Sequence, residues 1–371
     1  MRFIQTGLMS RPSYGLLSRR YDSSSKSGGV ARRAPLAAVA LAIALTAAAC
    51  SSGGSGSTST TALPHVNASL TVAVVPGIDT APLFIAKNDG TFAQAGLQVT
   101  IETVPSANAA LAAVQQGKAD IAVSDYVTFF QVEAAAKKPD LRIVADAYDC
   151  ASGVMEVLTT PKSNITQPQQ LAGRTIGISA VQGITTGKTI SAGPNSTPFS
   201  PESMITLNSL TADNVDTAST KWLPLPTTGL IQALQSHRVS AIVVQEPQIY
   251  QAETRLGAVP ILDSCSGLTT GMPLDGYFTS NAVVASNTPA LNAFQAILQQ
   301  EGATAVQQMG VRDQLAKPPT NLGAQAAAVV TLGTYPTTLN AAVLNNILNQ
   351  MITTNMIPGG LSQSVQSLLI P

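Results

Sequence analysis

Leu111-Ala112-Ala113-Val114-Gln115-Gln116-Gly117-Lys118-Ala119-Asp120-Ile121-Ala122-Val123-Ser124-Asp125-Tyr126 is the stretch whose reading decides the fold. Leu111 and Val114 lie three apart among alanines, the spacing of a packed helix face. Gly117 falls where a helix C-terminus turns through positive φ. Ile121-Ala122-Val123 is a short apolar run, as in a strand covered on both faces. Ser124, Asp125 and Tyr126 follow at its carboxyl end, where open α/β sheets bind ligands.

The pattern returns about 120 residues later. Leu230 to Leu234 reads as helix, Gln235-Ser236-His237-Arg238 as turn, and Ala241 to Val244 as strand, followed by Gln245-Glu246-Pro247. One helix–turn–strand unit used twice implies two lobes facing each other. Around the first copy, Leu70 to Val75 reads as a strand and Pro82 to Lys87 as a helix with Thr80 at its N-cap. Gln98 to Val104 reads as a second strand. Strand, helix, strand, helix, strand at this pitch calls for parallel strands with crossovers. After Thr160-Pro161 a second unit of the same kind begins. Gly276 to Val284 brings the chain back to the first lobe. Three helical stretches follow, Thr288 to Met309, Asn321 to Leu332 and Thr338 to Asn355.

The 371 residues carry 20 basic and 20 acidic groups, but the balance is uneven. Residues 1–50 hold seven Lys/Arg and one acid, Asp22; the remainder has 13 basic and 19 acidic groups, a net of −6. Such a chain lacks the basic footprint of a nucleic-acid binder. Arg32-Arg33 precede an apolar run to Ala49 of signal-peptide length, too short to span a bilayer comfortably. Small residues, Cys50 and then Ser51-Ser52-Gly53-Gly54-Ser55-Gly56 resemble a bacterial lipoprotein processing site, with Ala47 where Leu is more usual. An ordinary Ala-x-Ala cleavage site with an incidental cysteine is the alternative. On the lipoprotein reading Cys50 takes the lipid, and a Gly/Ser/Thr tether follows. Cys150 and Cys265 are then an even pair in an oxidising compartment, and a disulfide between them is expected.

Specific motifs add a resemblance. They are Pro82…Ala86-Lys87…Gly90-x-Phe92…Gly96-Leu97-x-Val99, Ala113…Gly117…Asp120-Ile121, Leu171-Ala172-Gly173-Arg174-Thr175-Ile176-Gly177-Ile178, Gly183-Ile184-Thr185-Thr186-Gly187 and Glu246-Pro247. In order and spacing, over residues ~70 to ~357, the chain resembles the solute-binding proteins of nitrate, sulfonate, taurine and thiamine-pyrimidine-precursor importers. The resemblance implies an α/β, two-lobed periplasmic-binding-protein-like fold of type II, each lobe a mixed, mainly parallel sheet flanked by helices. It implies a monomer that delivers a small solute to an ABC importer permease, held to the outer face of the membrane by its lipid. The expected layout is a signal peptide over 1–49 and a tether over 50–68. Lobe I takes 69–157 and 264–371, and lobe II takes 158–263.

The residues at expected strand tips are the candidate ligand contacts: Asp79 and Thr80; Ser124, Asp125 and Tyr126; Tyr148 and Asp149; Gln182, Gly183, Ile184 and Thr185; Gln245 and Glu246. Asp125 and Glu246 stand nearly in step in the two repeats, placed to grip one solute from both sides or to cap helices. Tyr126 and Tyr148 are the aromatics best placed to stack on a planar solute. No Lys or Arg stands at these tips, so a neutral or cationic, nitrogen-bearing solute, heteroaromatic ones included, is favoured over nitrate or a sulfonate. A sulfonate held by helix N-termini remains the alternative within the family. Enzymes of the same fold, making pyrimidine or menaquinone precursors, form the other class. Against them, His65 and His237 are the only histidines, and no cysteine cluster or metal-ligand spacing is present. No catalytic residue, cofactor or metal is therefore expected.

Overall fold

The computed structural model describes residues 64–181, 185–192, 197–305 and 308–371. The expected signal peptide and Cys50 lie outside them, as do Gln182, Gly183 and Ile184. Eleven strands, in chain order, are β1 (Ala68–Val74), β2 (Leu97–Thr103), β3 (Ile121–Asp125), β4 (Leu141–Asp149), β5 (Met155–Thr159), β6 (Thr175–Ser179), β7 (Ile190–Ser191), β8 (Lys221–Leu225), β9 (Ala241–Gln245), β10 (Val259–Asp263) and β11 (Pro273–Ser280). They form two sheets, ordered β2-β1-β3-β11-β4 and β10-β5-β9-β6-β8-β7.

Reversing the second order to β8-β6-β9-β5-β10 makes it a copy of the first, with β7 added at the edge. The directions agree as well. β1 runs parallel to β2 and β3, and β6 parallel to β8 and β9. The fourth strand of each sheet is antiparallel to both neighbours, β11 to β3 and β4, and β5 to β9 and β10. Each antiparallel strand lies beside a crossing of the chain between sheets. The first crossing follows β4 through residues 150–154, and the return follows β10 through 264–272. The boundary expected between 157 and 158 therefore falls inside β5, which the second sheet takes whole.

The two helix–turn–strand units match bond for bond. Gly117 and His237 both sit at positive φ, +66° and +57°. The turn amides of Lys118 and Arg238 donate to Ala113 and Ala233 carbonyls at 2.8 and 2.9 Å. Asp120 and Ser240 amides then reach the neighbouring strands at Thr71 and Thr175. These bonds fix the register that brings both strand tips to the same side. The helices Ala107–Gln115 and Leu230–Gln235 precede these turns.

Lobe cores are aliphatic and aromatic. Phe129 stacks on Phe278 at 4.2 Å, and Phe92 on Phe294 at 5.4 Å. Trp222, on β8, is buried in the second lobe. The C-terminal region is more broken than its alanine-rich pattern suggested, with helices at Asn281–Ala305, Met309–Leu315, Ala324–Val329 and Ala341–Thr353. The first of these kinks at Asn287, just before Pro289. Cys150 and Cys265 are paired across the two crossings, their Cα atoms 5.2 Å apart.

A Cβ at position 117 would meet no neighbour within 4 Å, so Gly117→Ala tests backbone strain alone. It is expected to cost about 1 kcal/mol in urea unfolding, and His237→Gly to gain about as much, because His237 is exposed. Destabilisation by His237→Gly would show that the imidazole holds the second turn.

Candidate functional site

The strand tips meet in a crevice between the sheets, occupied by two adjoining cavities. The first, of about 270 Å³, is lined by Asp79, Ser124, Asp125, Glu202, Gln245 and Asp275, with Val123, Val181 and Leu274 among its apolar walls. The second, of about 310 Å³, shares Asp79, Gln245 and Asp275 and adds Tyr148, Glu246, Gln248 and Thr320. Among the described residues lining either cavity there is no Lys, Arg or His.

The residues expected at the strand tips divide into three groups. Asp79, Ser124, Asp125, Tyr148, Gln245 and Glu246 line the cavities. Thr80, Tyr126 and Asp149 line neither cavity. Thr80 is fully buried, and its hydroxyl accepts from the Gly77 amide at 2.9 Å and donates to the Gly77 carbonyl at 3.0 Å. Its side chain thus shapes the loop and makes no N-cap bond. Tyr126 is 1 % exposed, turned into the core against Phe130 and Phe278, with its hydroxyl on Asp146. It offers no face to a solute. Asp149 has a buried Oδ1 with no hydrogen-bond partner among the described residues. Thr185 is exposed and apart from both cavities.

Asp125 and Glu246, read as opposed grips, are both engaged by backbone. Asp125 caps the helix Tyr126–Ala135, accepting from Thr128 N at 2.7 Å. Glu246 spends both oxygens. One accepts from Tyr250 N at 3.1 Å, in the first turn of the helix Gln248–Leu256, and the other from Thr331 N at 3.0 Å. The second bond crosses between lobes. Thr331 belongs to a segment whose Gly333 amide donates to Tyr148 Oη and whose Thr334 pairs with Asp149. Asn208 Nδ2 to Gln350 Oε1, at 2.9 Å, adds another bond across the interface.

Two cavity carboxylates were not read from the sequence. Asp275 is on β11, directly opposite Asp125 on β3 and beside Tyr148 on β4. Glu202 stands in the first turn of the helix Pro201–Ala212, behind the Ser200 cap. Its Oε1 accepts from Gln245 Nε2 at 3.3 Å, while its buried Oε2 has no partner among the described residues. The only signals were a first-turn acid after Ser-Pro and an acid one residue ahead of the returning strand.

Burial without a counter-ion raises every one of these acids. Asp79 is pushed up to about 7 by burial, and Asp149 to about 7 by burial and then by Asp146. Asp146 itself rises to about 6 through burial. Asp275 is held well above the usual carboxylate range by burial, then by the charges of Asp79, Asp125, Glu202 and Asp149. Glu202 and Asp125 are raised in the same direction, chiefly by burial. Like charges directly opposed across strands are destabilising, so the Asp125–Asp275 pair is a cost that the fold alone does not explain.

A family model described as the NMT1-like family matches residues 64–317. The chain belongs to the NMT1-like family. Solved structures share its two-lobed binding-protein fold at low identity. The alkanesulfonate-binding protein SsuA of Xanthomonas axonopodis pv. citri, bound to MOPS, is 15% identical with a TM-score of 0.62, over 82% of this chain and 98% of that one. The periplasmic aliphatic sulphonate-binding protein SsuA of Escherichia coli is 16% identical with a TM-score of 0.63, over 81% and 91%. The periplasmic nitrate-binding protein NrtA of Synechocystis PCC 6803 is 12% identical with a TM-score of 0.57, over 84% and 91%. No curated protein sequence matches the chain.

These shifts fix the sign of a pH effect. Folded carboxylates with raised pKa values hold protons that the unfolded chain releases near pH 4. The stability they contribute is complete below about 4 and lost as pH rises toward about 7, where Asp79 and Asp149 titrate. The thermal midpoint of the ligand-free protein is therefore expected to fall by several degrees between pH 5 and pH 8. Asp275→Asn should raise the midpoint at pH 8 far more than at pH 5. A midpoint that climbs over this range, or an equal effect of the substitution at both pH values, contradicts the assignment.

Proposed function

We propose that this chain is the extracytoplasmic receptor of an ABC importer, capturing a small cationic, nitrogen-bearing solute between its lobes without altering it. Its family and its fold support a receptor. The observation that carries the charge of the solute is the set of Asp79, Asp125, Glu202 and Asp275 around one cavity, with no basic residue among the described lining. An oxyanion placed there meets about 3 kcal/mol of repulsion from each ionised carboxylate 5 Å away, at an effective dielectric of ~20. A cation offsets the burial cost that raises these acids and the repulsion added at Asp275 and Glu202, so binding and relief of strain coincide.

Helix N-termini do face the crevice, but their charge is already answered by this chain's own acids. Asp125 caps one and Glu202 stands in the first turn of another. Those two N-termini are therefore poor seats for an oxyanion. Tyr148 is the one tyrosine among the described residues of the cavity linings, so stacking on a ring is placed in the second cavity.

Capture proceeds by hinge closure about the two crossings, with the Glu246–Thr331 and Asn208–Gln350 bonds joining the lobes. The permease reads the closed form. Cys50 carries the lipid that keeps the receptor at the membrane, the disulfide ties the crossings, and the receptor works as a monomer.

A thermal-shift screen of small organic ammonium, amidinium and guanidinium salts against nitrate and matched alkanesulfonates tests the proposal. A cation at 100 times its Kd should stabilise the protein by roughly 2.7 kcal/mol and be recovered unchanged. Stabilisation by nitrate or sulfonates, or chemical conversion of a bound cation, would overturn it.

A further inference from the structure

The two cavities are not equivalent, and the difference says how a solute is oriented. In the first, Glu202 Oε2 is buried and receives no hydrogen bond from any described residue, and the Asp275 carboxylate faces it across the cavity. They approach from different lobes, since Glu202 opens a helix packed on the second sheet and Asp275 lies on the first. The second cavity shares Asp79 and Asp275 with the first, and the one carboxylate it holds alone is spent. Glu246 is fully hydrogen-bonded to backbone, and the Tyr148 hydroxyl accepts from Gly333 N. Thr320 Oγ1 is buried there without a partner among the described residues, beside Ile78, Val154 and Leu322.

We infer that the solute has a guanidinium or amidinium head seated in the first cavity, with an uncharged tail lying in the second against Tyr148. This rests on the receptor reading and names the chemistry of its ligand. Buried acceptors left unpaired are costly, so the head must present donors toward both walls at once. A primary ammonium has three N–H groups in one narrow cone, whereas a guanidinium spreads five around a planar edge. Its fork also matches the carboxylate of Asp275. The rest of the first cavity, Val75, Val123, Leu274, Val181 and Pro201, is apolar. Such walls suit the weakly hydrated faces of a guanidinium better than a strongly hydrated ammonium. Beyond the shared Asp79 and Asp275 at the junction, the tail meets one unpartnered hydroxyl and a tyrosine.

Calorimetry with four probes of one tail and different heads tests this on the full chain: n-butylguanidinium, n-butylammonium, 1-butanol and n-butanesulfonate. Butylguanidinium is expected to bind at least tenfold tighter than butylammonium, with butanol and the sulfonate weaker still. Glu202→Gln, checked for native circular dichroism, should lower butylguanidinium affinity by roughly tenfold, the loss of one charge-assisted bond. It should lower butylammonium affinity much less. Butylammonium binding as tightly as butylguanidinium would overturn the inference while leaving cation capture intact. Butanesulfonate as the tightest ligand would overturn both. Failure of all four probes at millimolar concentration would overturn the guanidinium head.

Discussion

The crowding of Asp79, Asp125, Glu202 and Asp275, buried in a crevice with no basic side chain among its described lining, is the constraint on which the rest depends. Asp275 faces Asp125 across a strand pair and is raised by three further carboxylates. In a fold selected only for stability such a pair would be replaced. Local rules broken in this way concentrate at functional sites. Here the breach has a direction, since protonation or a positive occupant relieves it and an anion deepens it.

Repetition of one unit builds the crevice. Two sheets of the same strand order present parallel strand ends to a common gap, and each has its fourth strand reversed beside an interlobe crossing. That reversed strand in the first sheet carries Asp275. The chain therefore places its central acid at the hinge side of the gap, tied to the first lobe and within reach of the second. Glu246 and its bond to Thr331 show a second use of an acid in the same place, as a connector between lobes.

The helix–turn–strand unit was legible in the sequence because everything that specifies it is local: the apolar spacing of Leu111 and Val114, the turn at Gly117, the run at Ile121. Its copy was legible despite His237, which adopts the same positive φ as the glycine. Asp79, Asp125 and Gln245 could be placed in the crevice for the same reason, as residues following parallel strands. Tyr126 could not. Whether the first residue of a helix faces solvent or core depends on what packs beside it, and Asp146 and Phe278 draw it inward. Asp275 and Glu202 were hidden because an antiparallel pairing 150 residues away and a helix from the other lobe deliver them. No local periodicity marks either.

The direct measurement is mass spectrometry of the small molecule carried by the protein purified under native conditions from a host that can supply its solute. The account predicts a nitrogen base, positively charged at neutral pH and released intact on denaturation. A sulfonate, nitrate or other anion in that position would contradict it.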